Sequence, residues 1–316
     1  MRDSRADLRS PLMEQEVRQH VGDMPLEDLG GNANLNLLVC GSRPYVVRVH
    51  RPGMTRARVL ALRELRRQLR AHCILVPIPL PLAGSDVVRA GDRWMEAESH
   101  EPHSRPTSAH HRELVTALAG LHRAMESCWP ASWPAADLPM YASVDHLRKW
   151  ARGVGPDIRS KRPWNGYVAR MESVISRYES AERGLVTSVR SVPLHGDYSA
   201  GNVGFAGSGE PVFFDFDTAR TGPRIQEVAS AAVRFADDST GSGARASERT
   251  ALMWRMIEEY EHGAEVPLTT IEWSALPVEA SRVELCLAVR RWFRSGAATA
   301  WEHLERGLRT AERALS

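Results

Sequence analysis

The stretch Leu194–Arg220, LHGDYSAGNVGFAGSGEPVFFDFDTAR, constrains the chain more than any other. His195-Gly196-Asp197 opens it, and Asn202 follows five residues after the aspartate. Gly207-Ser208-Gly209 then predicts a tight hairpin turn, and Val212-Phe213-Phe214 a short buried strand, because Val and Phe suit a pleated surface. That strand runs into Asp215-Phe216-Asp217. Three carboxylates and one carboxamide therefore sit at the ends of two short elements joined by a turn. Carboxylate, carboxamide and water are the oxygen ligands Mg²⁺ prefers, usually with substrate phosphates completing the shell.

The order HGD, Asn202, then two apolar residues and DFD resembles the catalytic signature of the aminoglycoside phosphotransferase and choline kinase family, a branch of the protein-kinase-like fold. The resemblance implies that Asp197 contacts the acceptor hydroxyl and that Asn202 and Asp215 hold Mg²⁺ on the phosphates of ATP. His195 shares the catalytic turn and is expected to hold the loop. Asp217 is open between the metal's surroundings, an acceptor contact and a loop brace. Thr221-Gly222-Pro223-Arg224 and Glu227-Val228-Ala229 look like a further family segment, with Glu227 in place of the usual Asp. The implied fold is α+β and bilobal: a small N-terminal antiparallel sheet plus helix over residues 1–98, and a larger, mainly helical lobe over 99–316. An insertion at about 129–190 is expected to help build the acceptor pocket.

Composition agrees with such an enzyme. A chain of 316 residues with 43% apolar and 25% charged residues has the make-up of a soluble globular protein with a sizeable core. A net charge of +2 does not point to nucleic acid. No apolar run reaches the roughly 18 residues of a membrane span, and the charged start MRDSRADLRSPLMEQEV lacks a signal core. Cys40, Cys73, Cys128 and Cys286 are scattered without a C-x-x-C pair, which fits reduced thiols in a cytoplasm.

In the N-terminal half, Gly30-Gly31-Asn32-Ala33-Asn34 predicts a turn entering a strand, followed by a second strand at Tyr45–Val49. Backbone N–H groups of such a turn can lie over phosphates, so Gly31, Asn32 and Asn34 are candidate nucleotide contacts. By resemblance, Arg48 stands where most relatives carry lysine. Thr55–Ala71 is helical by pattern, with Glu64 its only acid among six arginines, and the resemblance implies an Arg48–Glu64 pair. It also implies that Met95–Glu98, including Met95, Glu96 and Glu98, forms the hinge where backbone groups hold adenine. An arginine is planar and permanently charged, so it does not simply replace lysine.

In the C-terminal half, apolar spacing predicts helices at Glu113–Ser127, Val144–Arg152, Trp164–Glu182, Gln226–Ala236, Glu248–His262, Val278–Ser295 and Ala297–Leu315. Asp237–Ser247 is expected to be a polar loop, and His122 a structural histidine. Tyr141 to Arg190 carries ten Lys or Arg against five Asp or Glu. On electrostatic grounds that bias favours a neutral or anionic acceptor, or docking of an acidic peptide, over a polycation, although Asp237, Asp238, Glu258, Glu259 and Glu261 keep an aminoglycoside in play. Three functions remain open: transfer to a small-molecule hydroxyl, in antibiotic resistance or metabolism; transfer to Ser/Thr of a peptide; and nucleotide or partner binding without transfer.

Overall fold

The computed structural model describes residues 10–31, 33–130, 132–134, 140–153, 164–240, 246–295 and 298–316. Asn32, parts of the expected insertion and part of the expected Asp237–Ser247 loop lie outside the described residues. The chain divides into two compact units. One comprises Met1–Arg105, Ser127–Asp137 and Val203–Asp217; the other comprises Pro106–Glu126, Leu138–Asn202 and Thr218–Ser316.

The first unit is built on an antiparallel sheet of β1 (Leu26–Gly30), β2 (Leu35–Val39), β3 (Tyr45–Val49), β4 (Pro79–Leu80), β5 (Val88–Ala90) and β6 (Arg93–Ser99), in the order β1-β2-β3-β6-β4 with β5 also on β6. Successive side chains leave a strand on opposite faces, and here the faces differ in kind. Leu35, Leu37 and Val39 of β2, Val47 and Val49 of β3, and Met95 and Ala97 of β6 form one apolar core with Met13, Val17 and Val21 of helix α1 (Pro11–Val21). The other face carries Arg48, Glu96 and Glu98, with Arg48 paired directly with Glu96 across the β3–β6 ladder. Helix α2 (Arg56–Ala71) supplies Arg63 and Arg66 to that face. Its N-cap Thr55 accepts the Arg58 N–H at 3.2 Å, which satisfies one orphan donor of the first turn.

Strand β7 (Ser191–Leu194) belongs to the second unit, whereas β8 (Val203–Phe205) and β9 (Pro211–Phe213) form an antiparallel hairpin within the first. Strand β9 is the buried run expected before Asp215, and Val212 also bridges Leu75. In the second unit β10 (Arg220–Pro223) pairs with β7, and the rest is helical. The helices are α3 (His111–Cys128), α4 (Val144–Gly153), α5 (Trp164–Ser188), α6 (Arg224–Thr240), α7 (Ala246–Gly263), α8 (Thr270–Ser295) and α9 (Ala298–Ala314). Three of them depart from the sequence expectation, the first being α5, which runs six residues past Glu182 to Ser188. Helix α6 extends to Thr240, beyond the apolar run that marked it. Helix α8 begins at Thr270 and continues through Pro277. Burial of Leu276, Ala280 and Val283 outweighs the hydrogen bond that proline removes.

Candidate active site

Strand β7 delivers His195-Gly196-Asp197 as a turn of the second unit. Gly196 has φ +86°, and a Cβ there would lie 2.3 Å from the Thr218 carbonyl oxygen, so only glycine meets both demands. Glu227, in the first turn of α6, holds this turn from its backbone. It accepts the His195 N–H at 2.9 Å and the Gly196 N–H at 2.6 Å. His122 donates its Nε2–H to the same carboxylate at 2.8 Å and meets the Tyr260 hydroxyl through Nδ1 at 2.8 Å. Burial pushes the Glu227 carboxyl up, but the hydrogen bond and charge of His122, with those of His195, hold it below its ordinary range. His122 is thus the structural histidine expected.

Within the second unit, Asp197 and Asn202 meet. Asp197 keeps a third of its side chain exposed. Its Oδ2 accepts the Asn202 amide at 3.1 Å, and the same amide donates to the Asp197 carbonyl at 2.8 Å. The five-residue spacing exists because the intervening turn, closed by Asn202 N–H to Ser199 O at 2.9 Å, brings the carboxamide back. Asp197 Oδ1 accepts Arg234 Nη1 of α6 at 2.6 Å. His195 is fully buried, and its Nδ1 accepts the Asp197 N–H at 3.3 Å. It braces the aspartate.

In the first unit, Asp215 and Asp217 lie beside the charged face of the sheet. Arg48 Nη1 is 3.0 Å from Asp215 and 3.5 Å from Asp217, and Arg48 Nη2 is 3.9 Å from Glu98. Arg66 bonds both Glu96 and Glu98. Burial alone would lower the Arg48 pKa; Glu98, Asp215, Asp217 and Glu96 outweigh it and raise the pKa, so the guanidinium stays charged. Glu96 is held well below the usual carboxylate range: Arg66, His50 and Arg48 overcome its burial. Arg48, Arg66, Glu98, Asp215, Phe214 and Pro77 are among the residues lining a cavity here. Asp215 adopts φ +59°, a left-handed backbone that Asp tolerates better than most residues but at some strain. Its carboxylate is 36% exposed.

Several expected nucleotide contacts are placed differently. Glu64 does not pair with Arg48: it is exposed and bonds Arg67 and Gln68. One residue along an α-helix is about 100° of rotation, and the face toward the sheet is that of Leu62, Leu65, Arg66 and Leu69. The acids that hold Arg48 come instead from β6, and the helix contributes a cation. Met95–Glu98 lie inside the ladders of β3 and β4, not beyond the sheet. Met95 faces the apolar core, and Glu96 and Glu98 face the arginines. Gly31 turns the chain at φ +116°. Asn34 is buried and donates to Asp217 at 2.8 Å while accepting the Arg51 N–H at 3.0 Å. Asp217 is itself buried among Asn34, Arg48 and Arg51, which makes it a brace for the cations. Glu64→Ala is therefore expected to shift unfolding by no more than about 0.5 kcal/mol and to leave nucleotide affinity unchanged. A loss of affinity in a binding titration would restore the Arg48–Glu64 pair.

Two residues of these networks had not been singled out. Arg66 was legible only through its partners: Glu96 and Glu98 share one face of a strand whose other face is apolar, which demands buried cations. Arg234 is the sole charge in Val228–Ala236, VASAAVRFA, and a lone arginine in such a run needs a buried partner.

Each unit thus carries polar groups suited to phosphoryl transfer: the second a glycine turn with a braced aspartate, the first a strand arginine beside a second aspartate. A model of the phosphotransferase enzyme family matches residues 26–263, and the chain belongs to that family. Three solved structures share its fold. Amicoumacin kinase in complex with AMP-PNP, Ca²⁺ and its ligand is 16% identical, with TM-score 0.74 over 99% of this chain and 96% of that one. A microcompartment-associated aminopropanol kinase is 18% identical, with TM-score 0.66 over 97% and 95%. An aminoglycoside phosphotransferase from Alicyclobacillus acidocaldarius subsp. acidocaldarius DSM 446 is 13% identical, with TM-score 0.60 over 96% and 93%. No curated protein sequence is similar enough to count as a match. The fold is thus the kinase-like α+β fold expected from the sequence.

Proposed function

We propose that the protein transfers the γ-phosphoryl group of Mg²⁺-ATP to a hydroxyl of a small molecule, an amino alcohol or aminoglycoside-like antibiotic or metabolite, in the cytoplasm. The observation that carries the reading is Asp197: a one-third-exposed carboxylate fixed by Asn202 and Arg234 on a glycine turn. A hydrogen-bond acceptor held in this way can orient a hydroxyl and take its proton as the new P–O bond forms. Arg48 offers a permanent cation to phosphate oxygens. Asp215 in its unit and Asn202 in the other each carry side-chain oxygens of the kind Mg²⁺ prefers. Among the described residues no group of three or more His, Cys, Asp or Glu forms a metal cage. Mg²⁺ in phosphoryl-transfer enzymes takes one or two carboxylates and completes its shell with phosphates and water, so the chemistry of these side chains suits it. The bound ion would neutralise charge on the transferred group.

A small acceptor is favoured over a peptide because, among the described residues, three basic side chains of the expected insertion are engaged within their own unit. Arg148 pairs with Asp145 and Glu179, Arg170 with Glu305 and Glu312, and Arg190 with Glu126. These three are not free to dock an acidic peptide. Incubation with γ-labelled ATP, Mg²⁺ and a panel of amino alcohols, aminoglycosides and Ser/Thr peptides tests the reading. Label on a small molecule is the expected result. Label confined to peptides, or none despite nucleotide binding, would contradict it.

A further inference from the structure

Arg234 stands out as a buried cation attached to the one group that must act as a base. Its side chain is only 12% exposed. Nη1 donates to Asp197 Oδ1 at 2.6 Å and to the Tyr198 carbonyl at 3.3 Å. The guanidinium carbon lies 4.1 Å from the centroid of the Tyr141 ring, within cation–π range. Tyr141 is tied in turn to the catalytic turn, because its N–H donates to the Gly196 carbonyl at 3.0 Å. Arg234, Tyr141, Gly196 and Asp197 therefore close a circuit in which the turn and the side chain it presents are fixed from one guanidinium.

We infer that Arg234 is a positioning residue for phosphoryl transfer: it fixes the Asp197 carboxylate from the Oδ1 side while Asn202 fixes it from Oδ2. A carboxylate has about four lone-pair sites, so two such bonds leave room for the acceptor hydroxyl and define where it binds. The cation also offsets the repulsion between a carboxylate and an approaching triphosphate. A planar guanidinium stacked on Tyr141 does both at once, and a lysine would supply charge without that stacking. The inference rests on the kinase reading above.

The test uses the full chain and Mg²⁺-dependent ATP hydrolysis, with water as acceptor, beside Mg²⁺-ATP affinity by calorimetry. Arg234→Met is expected to lower hydrolysis about tenfold, the size of effect one charged hydrogen bond in a transition state produces, with affinity within about twofold. Arg234→Lys should recover part of the loss. In an Asp197→Asn background, Arg234→Met should cost nothing further, because Arg234 acts through that carboxylate; a merely structural role would add its cost again. Unchanged hydrolysis in Arg234→Met, or full additivity with Asp197→Asn, would overturn the inference alone. If Arg234→Met does not fold, Tyr141→Leu, which removes the stacking but leaves the ion pair, should give the smaller loss of the same kind, and its absence would overturn the inference. Wild-type protein that binds Mg²⁺-ATP but transfers phosphate neither to water nor to any acceptor of the panel would defeat the kinase reading and this inference with it.

Discussion

An Asp197→Asn protein is expected to lose phosphoryl transfer by at least about 10²-fold while binding Mg²⁺-ATP as well as the wild type. Removing a single pre-placed polar group from a transition state costs about that much. The amide has nearly the shape of the carboxylate, and its carbonyl oxygen can still take the Arg234 hydrogen bond, so the turn should keep its geometry. What disappears is the basicity toward the acceptor hydroxyl and the negative charge that Arg234 and Asn202 converge on. Initial rates with γ-labelled ATP measure the loss, and a variant retaining turnover within a few-fold of wild type would refute the role.

The largest effect on stability is expected at Glu227. Glu227→Ala strips a buried acceptor from His122 Nε2 and from the His195 and Gly196 N–H groups together. Breaking a buried, hydrogen-bonded charged group in this way costs about 3–5 kcal/mol, readable in denaturant unfolding. The pH dependence has a definite sign. The folded-state pKa of Glu227 is depressed from its ordinary value of 4.5. Its contribution is therefore complete above about pH 4.5 and is lost as pH falls through the lower, folded value. Wild-type stability should drop more steeply than that of Glu227→Gln over that acid range. Parallel curves would show that the carboxylate is not the group that links the turn to pH.

What could be read in the sequence depended on how local each interaction is. The HGD turn, the returning Asn202 and the strand ahead of Asp215 rest on spacings of a few residues, and the structure forms the turn and the strand where they were expected. Arg48 was legible because Tyr45–Val49 reads as a short strand after a turn and resembles the strand on which the family carries its cation. Its partners were not. Choosing Glu64 required knowing which face of α2 meets the sheet, and the arginine-rich pattern hid that face: Arg58, Arg63 and Arg66 are buried where charged residues normally face water. Glu96 and Glu98 looked like hinge residues because their sequence gives no pairing register. Only the Arg48–Glu96 pairing of β3 with β6 shows that they belong to the ion cluster. Arg234 lies 37 residues from Asp197, and sequence spacing carries no information about contacts at that range. The same limit applied to Pro277, whose local preference for breaking a helix yields to burial of the flanking apolar residues.

The central claim is that Arg48 and Asp215 belong to a Mg²⁺-dependent nucleotide site. Thermal unfolding with and without Mg²⁺-ATP, for the wild type and for Asp215→Ala, tests it most directly. Ligand at about 100 times its dissociation constant adds about 2.7 kcal/mol to stability, a clear rise in midpoint. The account predicts a rise that needs Mg²⁺ and is absent in Asp215→Ala. No rise at millimolar nucleotide, or an equal rise in the variant, would contradict it.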